Sequence, residues 1–132
     1  MSKEKNFILA IDQGTTSSRA FIYDDKGAVV TKTQKALPCQ FPDDGWVEQD
    51  AVQIWRDVVH LVKQAIAQAE IMADQIAALG ITNQRETVVL WDRQSGEPVA
   101  PAIVWQDRRT ADFCRTLKDQ GYEEEIRKKT GL

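Results

Sequence analysis

The strongest constraint on this chain lies at its opening, where the apolar run Phe7-Ile8-Leu9-Ala10-Ile11 stops on Asp12 and passes straight into Gln13-Gly14-Thr15-Thr16. A short apolar run bounded by a turn signal reads as a buried strand over residues 6–12. It is too short for a secretory signal or a membrane span. Residues 17–23 (SSRAFIY) read as a second strand, closed by Asp24-Asp25-Lys26-Gly27. Residues 28–35 (AVVTKTQK) form a third, enriched in Val and Thr. Strands joined by turns this tight pair antiparallel, so the first third of the chain is a three-stranded meander. Such a sheet has an apolar face that something else must cover.

The cover is legible further along. After a loop carrying Pro38, Pro42, Gly45 and Trp46, Asp50 starts a helix, with Gln53 at the capping-box position. Ala51, Ile54, Trp55, Val58, Val62, Ala65, Ile66 and Ala69 keep helical spacing, which predicts a helix over 51–69 with Trp55 in the core. His60 lies off that stripe beside Arg56, Asp57, Lys63 and Gln64, and reads as a solvated histidine. Residues 76–82 (IAALGIT) are apolar enough for a strand buried on both faces. The polar burst Asn83-Gln84-Arg85-Glu86 follows, then strand again at 87–91, a turn over Asp92 to Pro98, and a short strand at 102–105. Helices are predicted from Arg108 to Lys118, with Phe113 and Leu117 on one side, and from Glu123 to Lys129. In the latter, Glu123–Arg127, Glu124–Lys128 and Glu125–Lys129 form a solvated charged face. The order βββ-α-β(β)-α, without repeat or linker, predicts one α/β domain over 1–132: a mixed sheet with flanking helices. A meander followed by a helical crossover into a central strand is the arrangement of ribonuclease-H-like and actin-like ATPase cores (βββαβα).

Composition narrows the function classes. With 42% apolar and 28% charged residues the chain is globular. Its net charge of −3 gives no overall basic field for nucleic acid or anionic lipid. Cys39 and Cys114 form no C-x-x-C pair and His60 is the only histidine, so no zinc set exists. Two idle thiols and no targeting segment predict a cytoplasmic protein without nucleic-acid or membrane partners.

The chemistry-bearing stretch is Asp12-Gln13-Gly14-Thr15-Thr16-Ser17-Ser18-Arg19. A strand delivers a carboxylate at its end, and Gly14 lets the backbone approach a ligand closely. Turn amides and hydroxyls suit phosphate oxygens, and Arg19 can form charge-assisted bonds to them. Asp12 suits Mg²⁺, which takes one or two carboxylates together with waters and substrate phosphates. The bland alternative, an ordinary hairpin turn with polar tips, fits the composition equally well. No Walker loop is present.

The run D-Q-G-T-T-S-S-R resembles the phosphate-binding hairpin of the FGGY carbohydrate kinases, the family that includes the glycerol kinases. I-T-N-Q-R-E at 81–86 and A-I-V-W-Q-D-R-R at 102–109 resemble the polyol-binding segments of the glycerol kinase branch, and P-D-D-G-W-V-E-Q-D at 42–50 is similar to another stretch of it. The four motifs keep the family's order and approximate spacing across essentially the whole chain. The resemblance implies transfer of the γ-phosphoryl group of ATP, with Mg²⁺, to glycerol, giving glycerol 3-phosphate. It implies Gly14, Thr15, Thr16, Ser17 and Arg19 at the nucleotide phosphates and Asp12 at the metal. Glycerol would meet Thr15, Arg85 and Glu86, with Trp105 as the pocket wall. Arg85 and Glu86 suit that role physically: a guanidinium donates to vicinal hydroxyls and a carboxylate accepts from them, a pairing that rejects analogues lacking the hydroxyls. Without the family pattern they would read as a surface ion pair and Trp105 as a core aromatic; Trp46, Trp55 and Trp91 stay with a packing role. Family members are several times longer, two-lobed and, as full-length parents, homo-oligomeric. Their catalytic-base aspartate lies beyond the stretch matched here. The resemblance therefore implies an N-terminal piece of an incomplete first lobe, with no catalytic base of its own, inactive alone, and with exposed apolar surface prone to self-association.

Three other readings remain open. A kinase for another polyol, such as xylulose or gluconate, would carry a Gln-Met-His type segment where this chain has Asn83-Gln84-Arg85-Glu86. A ribonuclease-H-type nuclease needs carboxylates converging from adjacent strand ends, whereas 76–82 runs into Thr82-Asn83. A non-catalytic binding module built from a kinase lobe is separated from the first reading only by ligand titration.

Overall fold

The computed structural model describes residues 6–131; of the expected domain 1–132, residues 1–5 and 132 lie outside the described residues. The meander forms as expected, from β1 (Phe7–Gln13), β2 (Ser17–Tyr23) and β3 (Val29–Ala36). β1 and β2 pair antiparallel with Leu9 opposite Ile22 and Ile11 opposite Ala20. β2 pairs β3 antiparallel with Ala20 opposite Thr33. Two further strands precede and follow the long helix: β4 (Glu48–Gln49), then α1 (Ala51–Gln68), then β5 (Ile76–Thr82) after a short 3-10 turn at Ala73–Gln75. β5 pairs parallel to β1, so the sheet is mixed, in the order β3-β2-β1-β5. A separate two-stranded ribbon pairs β4 antiparallel with β6 (Ala102–Ile103). The helices α2 (Ala111–Asp119) and α3 (Glu123–Thr130) close the chain with no buried residues.

The core sits between the meander and α1. Leu9, Ala20 and Ile22 from the sheet meet Leu61 and Ala65 from the helix, with Phe7, Val62 and Ile66 at the margin. Full burial of a side chain such as Ile22 or Leu61 contributes about 1.5–3 kcal/mol. The helix starts where the sequence says it should: the Asp50 carboxylate accepts from the backbone amides of Val52 and Gln53 at 2.8 and 3.0 Å. The capping box is left half made, because the Gln53 amide donates instead to Asp57 at 2.6 Å. At the far end Glu70 takes a left-handed φ of 54°, the position where helices usually place glycine.

Several expectations need correction. Asp57, Leu61 and Ala65 form the buried line of α1, which is rotated away from the expected stripe. Trp55, expected in the core, is 68% exposed. Asp57 can take an inward position because Lys35 Nζ reaches it at 2.5 Å, and this turns Trp55 outward. There Trp55 lines an open groove of about 750 Å³ with Val52, Val89 and Trp91. Trp91, also expected to pack, is 63% exposed. β5 is not buried on both faces: Leu79 and Ile81 are 55% and 68% exposed. Their register puts them on the same face as Leu9 and Ile11, but α1 packs on β2 and β3 and does not reach them. Residues 87–91 form no strand; Val88 and Trp91 make only isolated bridges to Ile103 and Pro98. The strand expected at 102–105 shrinks to two residues, and α2 begins at Ala111 rather than Arg108. His60 is exposed as expected, and both cysteines are free. Among the described residues no helix is long and apolar enough to cross a membrane.

Candidate active site

The site forms because β1 and β5 run parallel and end together. Asp12 pairs with Thr82 in the register, so the hairpin turn after β1 and the polar loop after β5 emerge side by side. The carboxyl ends of parallel strands are where open α/β sheets place their ligands.

The hairpin turn is held tightly. The Gly14 amide donates to the Ser17 carbonyl at 3.0 Å, and the Leu37 amide to the Thr16 carbonyl at 2.9 Å. A Cβ on Gly14 would stand 3.0 Å from the Ser17 carbonyl oxygen, so a side chain fits there only if the turn shifts. Gln13 braces the turn from behind, donating to the Gly14 carbonyl at 3.1 Å and accepting from the Ser18 hydroxyl at 2.7 Å. Thr16 is exposed at the tip, whereas Ser17 is buried and its hydroxyl has no hydrogen-bond partner among the described residues. Arg19, cross-strand from Asp12, donates to Asp12 Oδ2 at 2.6 Å. Asp12 Oδ1 has no protein partner among the described residues and lies 3.9 Å from where a Cβ on Gly14 would stand. One half-exposed carboxylate oxygen beside a phosphate-sized turn suits Mg²⁺, which needs few protein ligands. Among the described residues no group of three or more acidic, His or Cys side chains forms a metal cage.

Across from the turn, Gly14, Thr15, Asn83, Gln84, Arg85, Glu86 and Trp105 line a cavity of about 310 Å³. This brings five of the expected residues together: Gly14, Thr15, Arg85, Glu86 and Trp105. Asp12, Thr16, Ser17 and Arg19 lie outside its lining. Trp105 is half exposed at 53% and its indole N–H donates to the Thr15 hydroxyl at 2.9 Å, so the ring stands as a wall attached to the hairpin. Arg85 and Glu86 are both exposed and make no ion pair with each other or with any other described residue. Glu86 adopts φ of 57°, left-handed for a residue with a side chain. Glu70 shares that conformation at a helix end, and Glu86 takes it in the turn over residues 85–86 that leads out of β5. Strain of this kind, on the order of 1–3 kcal/mol, collects at functional sites.

The segment carrying Trp105 is anchored by charges that the sequence reading passed over. Arg109 donates to Glu48 at 2.8 Å and to both oxygens of Asp107 at 2.8–2.9 Å. Its guanidinium lies 3.8 Å from the centre of the Trp46 ring. Asp107 also accepts from the Val47 amide at 2.7 Å. The Arg109 hydrogen bonds hold the Asp107 carboxyl down at about 2, against burial that pushes it up. Asp107 and then Glu48 raise Arg109 above its ordinary value in turn. These residues tie the 42–50 loop to the stretch after β6. Their signal was present in the sequence as the two motifs holding Glu48, Asp107 and Arg109, but spacing alone does not say that the two segments touch.

Residues 7–132 match the FGGY family of carbohydrate kinases, N-terminal domain. A glycerol kinase of Alcanivorax borkumensis is 56% identical over 126 residues, covering 96% of this chain and 25% of that enzyme. The crystal structure of Plasmodium falciparum glycerol kinase with ADP superposes with a TM-score of 0.83 at 32% identity, over 94% of this chain and 25% of that one. Gluconate kinase from Lactobacillus acidophilus superposes with a TM-score of 0.86 at 25% identity, over 96% and 25%. The chain thus spans about a quarter of the length of these relatives. The expected actin-like ATPase core is borne out by the meander, the crossover helix and the parallel return of β5, all superposing on sugar and polyol kinases. By its sequence match and by its fold, the chain belongs to the FGGY family of carbohydrate kinases.

Proposed function

We propose that this chain supplies the phosphate-binding hairpin and part of the polyol pocket of an ATP-dependent glycerol kinase. The observation that carries this reading is the pair Arg85 and Glu86, unpaired with each other and facing one cavity with Thr15 and Trp105. Opposite charges side by side that decline to pair are ready to hydrogen-bond a third party. A polyol satisfies both, taking donors from the guanidinium and giving its hydroxyl protons to the carboxylate. The Trp105 face packs against its carbon chain.

On the other side of Thr15, the turn amides and the Thr16 hydroxyl would receive nucleotide phosphates, with Arg19 offering the N–H groups not spent on Asp12. Asp12 would hold Mg²⁺ through its waters; bound there, the ion neutralises charge on the phosphoryl oxygens. Thr15 lies between the two ligands, beside the group to be transferred. Ser17 acts through its backbone carbonyl, which fixes the turn. Proton removal from the accepting hydroxyl needs a carboxylate beyond Glu86, and among the described residues none other lines the cavity. The chain by itself is therefore inactive.

Isothermal titration with glycerol and with Mg-ADP tests this reading together with a coupled ADP-release assay. The chain should bind both ligands, and Arg85→Ala should weaken glycerol at least about tenfold, as expected when a charged hydrogen-bond donor is lost. Heat from neither ligand sinks the site, and turnover at or above about 1 s⁻¹, the scale of ordinary kinases, sinks the claim of inactivity.

A further inference from the structure

Behind the cavity runs a closed ring of hydrogen bonds. Gln49, on β4, is fully buried at 0% exposure and takes no part in lining the cavity. Its amide Nε2 donates to the Thr15 carbonyl at 2.7 Å, with Cys39 Sγ alongside at 3.3 Å. Its Oε1 accepts from Gln84 Nε2 at 2.9 Å. Gln84 Oε1 accepts from the Thr87 hydroxyl at 3.1 Å. Thr87 Oγ1 accepts in turn from the Trp105 backbone amide at 3.4 Å. The ring closes through the Trp105 indole, which donates to the Thr15 hydroxyl at 2.9 Å.

From Trp105 through Thr87, Gln84 and Gln49 to Thr15, every N–H or O–H points the same way. Within the ring the Thr87 hydroxyl and each amide accept once and donate once, Gln49 also donating outside it to Cys39 Sγ. Turning the Gln49 amide over would set donor against donor at Gln84 and acceptor against acceptor at Thr15, and turning Gln84 would set its oxygen against Gln49 Oε1. Four separate segments are fastened this way: the hairpin, β4, the loop after β5 and the stretch after β6. The buried Gln49 amide is costly to leave unmade, so the hairpin and the loop after β5 that it joins are held to one another.

The geometry points to Gln49 as the positioning residue that couples the two halves of the site. Through its amide, a polyol settling on the Arg85–Glu86 loop fixes Thr15, and the hairpin then grips nucleotide phosphates more tightly. The coupling rests on the function proposed above; the ring itself does not.

The test uses the full chain, ¹⁵N-labelled, as wild type, Gln49→Glu and Gln84→Leu. Gln49→Glu keeps the acceptor toward Gln84 but replaces the donor to Thr15 with a carboxylate oxygen. Gln84→Leu cuts the neighbouring link from the less buried side, and serves if the first variant does not fold. Without ligand, the Trp105 indole N–H resonance should shift in the variants while those of Trp55 and Trp91 hold still. With ligands, saturating glycerol should tighten Mg-ADP binding to wild type by at least about fivefold, the lower end of ordinary coupling between sites. In the variants that factor should fall below about twofold. A Gln49 that merely packs would lower the melting temperature and leave the coupling at its wild-type value. An unmoved Trp105 resonance, coupling that survives in the variants, or independent binding of the two ligands to wild type each overturns the inference and leaves the proposed function standing. Binding of neither ligand to wild type overturns that function, and the coupling with it.

Discussion

Two interiors of this small protein strike different balances between apolar area and directed bonds. Between the meander and α1 the buried cluster is Leu9, Ala20, Ile22, Leu61 and Ala65, which hold by area, with Thr33 and Asp57 as polar exceptions at its edge. Between the 42–50 loop and the stretch after β6, Val47, Ala102 and Val104 are buried too, but beside them Gln49, Glu48, Asp107 and Arg109 are enclosed or half-enclosed and held by directed bonds. An apolar core tolerates small slips, because dispersion and hydration are non-directional. A ring of hydrogen bonds tolerates very little, since its energy falls steeply with angle. The first supplies the stability that lets the chain fold. The second fixes where Thr15, Gln84 and Trp105 stand relative to one another. The candidate site sits on the second.

The contrast can be broken most forcefully at Leu61, which is 2% exposed in the apolar cluster. Leu61→Ala should cost about 2–5 kcal/mol, read from denaturant unfolding. If the two interiors are independent, the Trp105 indole signature will be unchanged in the folded variant; a shifted signature would join them. Arg109 probes the polar side. The folded Asp107 carboxyl lies near 2, below its ordinary 3.8. Its contribution to stability is therefore complete above about pH 4 and is lost as the pH falls through about 2. In Arg109→Gln the Asp107 carboxyl should rise from about 2 toward its ordinary 3.8, measured by carbon NMR across the acid range. An Asp107 still near 2 would mean that the backbone amides of Val47 and residue 109, rather than the guanidinium, hold it down. The smallest effect is expected at Glu70, whose φ of 54° closes α1. Glu70→Gly removes the left-handed strain and should raise stability by about 1 kcal/mol, with ligand binding unaltered. A destabilised Glu70→Gly would show that the Glu70 side chain contributes something at the helix end beyond its backbone angle.

The legibility of the chain followed the range of the interactions involved. The meander and the Asp50 cap were readable because turn residues, strand runs and capping are local to a few positions. The hairpin chemistry was readable for the same reason: Asp12, Gly14, Thr15 and Arg19 lie within eight consecutive residues. Trp55 was misplaced because periodicity gives the apolar stripe of a helix but not the arc its neighbours cover, and Lys35 brought Asp57 inward instead. β5 read as buried because its composition is that of a covered strand, and composition cannot show that α1 stops short of Leu79 and Ile81. Gln49 gave no signal as a site residue, since a lone glutamine between Glu48 and Asp50 is unremarkable until Thr15 and Gln84 arrive from either side.

By itself the sequence determined the meander strands, the long helix, the strand at 76–82 and the residue types at the two strand ends, because backbone propensity, turn chemistry and apolar spacing act between near neighbours. Only the tertiary structure decided that those two ends meet, that Arg85 and Glu86 stay unpaired beside Thr15 and Trp105, and that a buried amide joins them. The parallel pairing of β1 with β5, across the whole length of α1, is what brings residues some seventy positions apart within hydrogen-bonding reach.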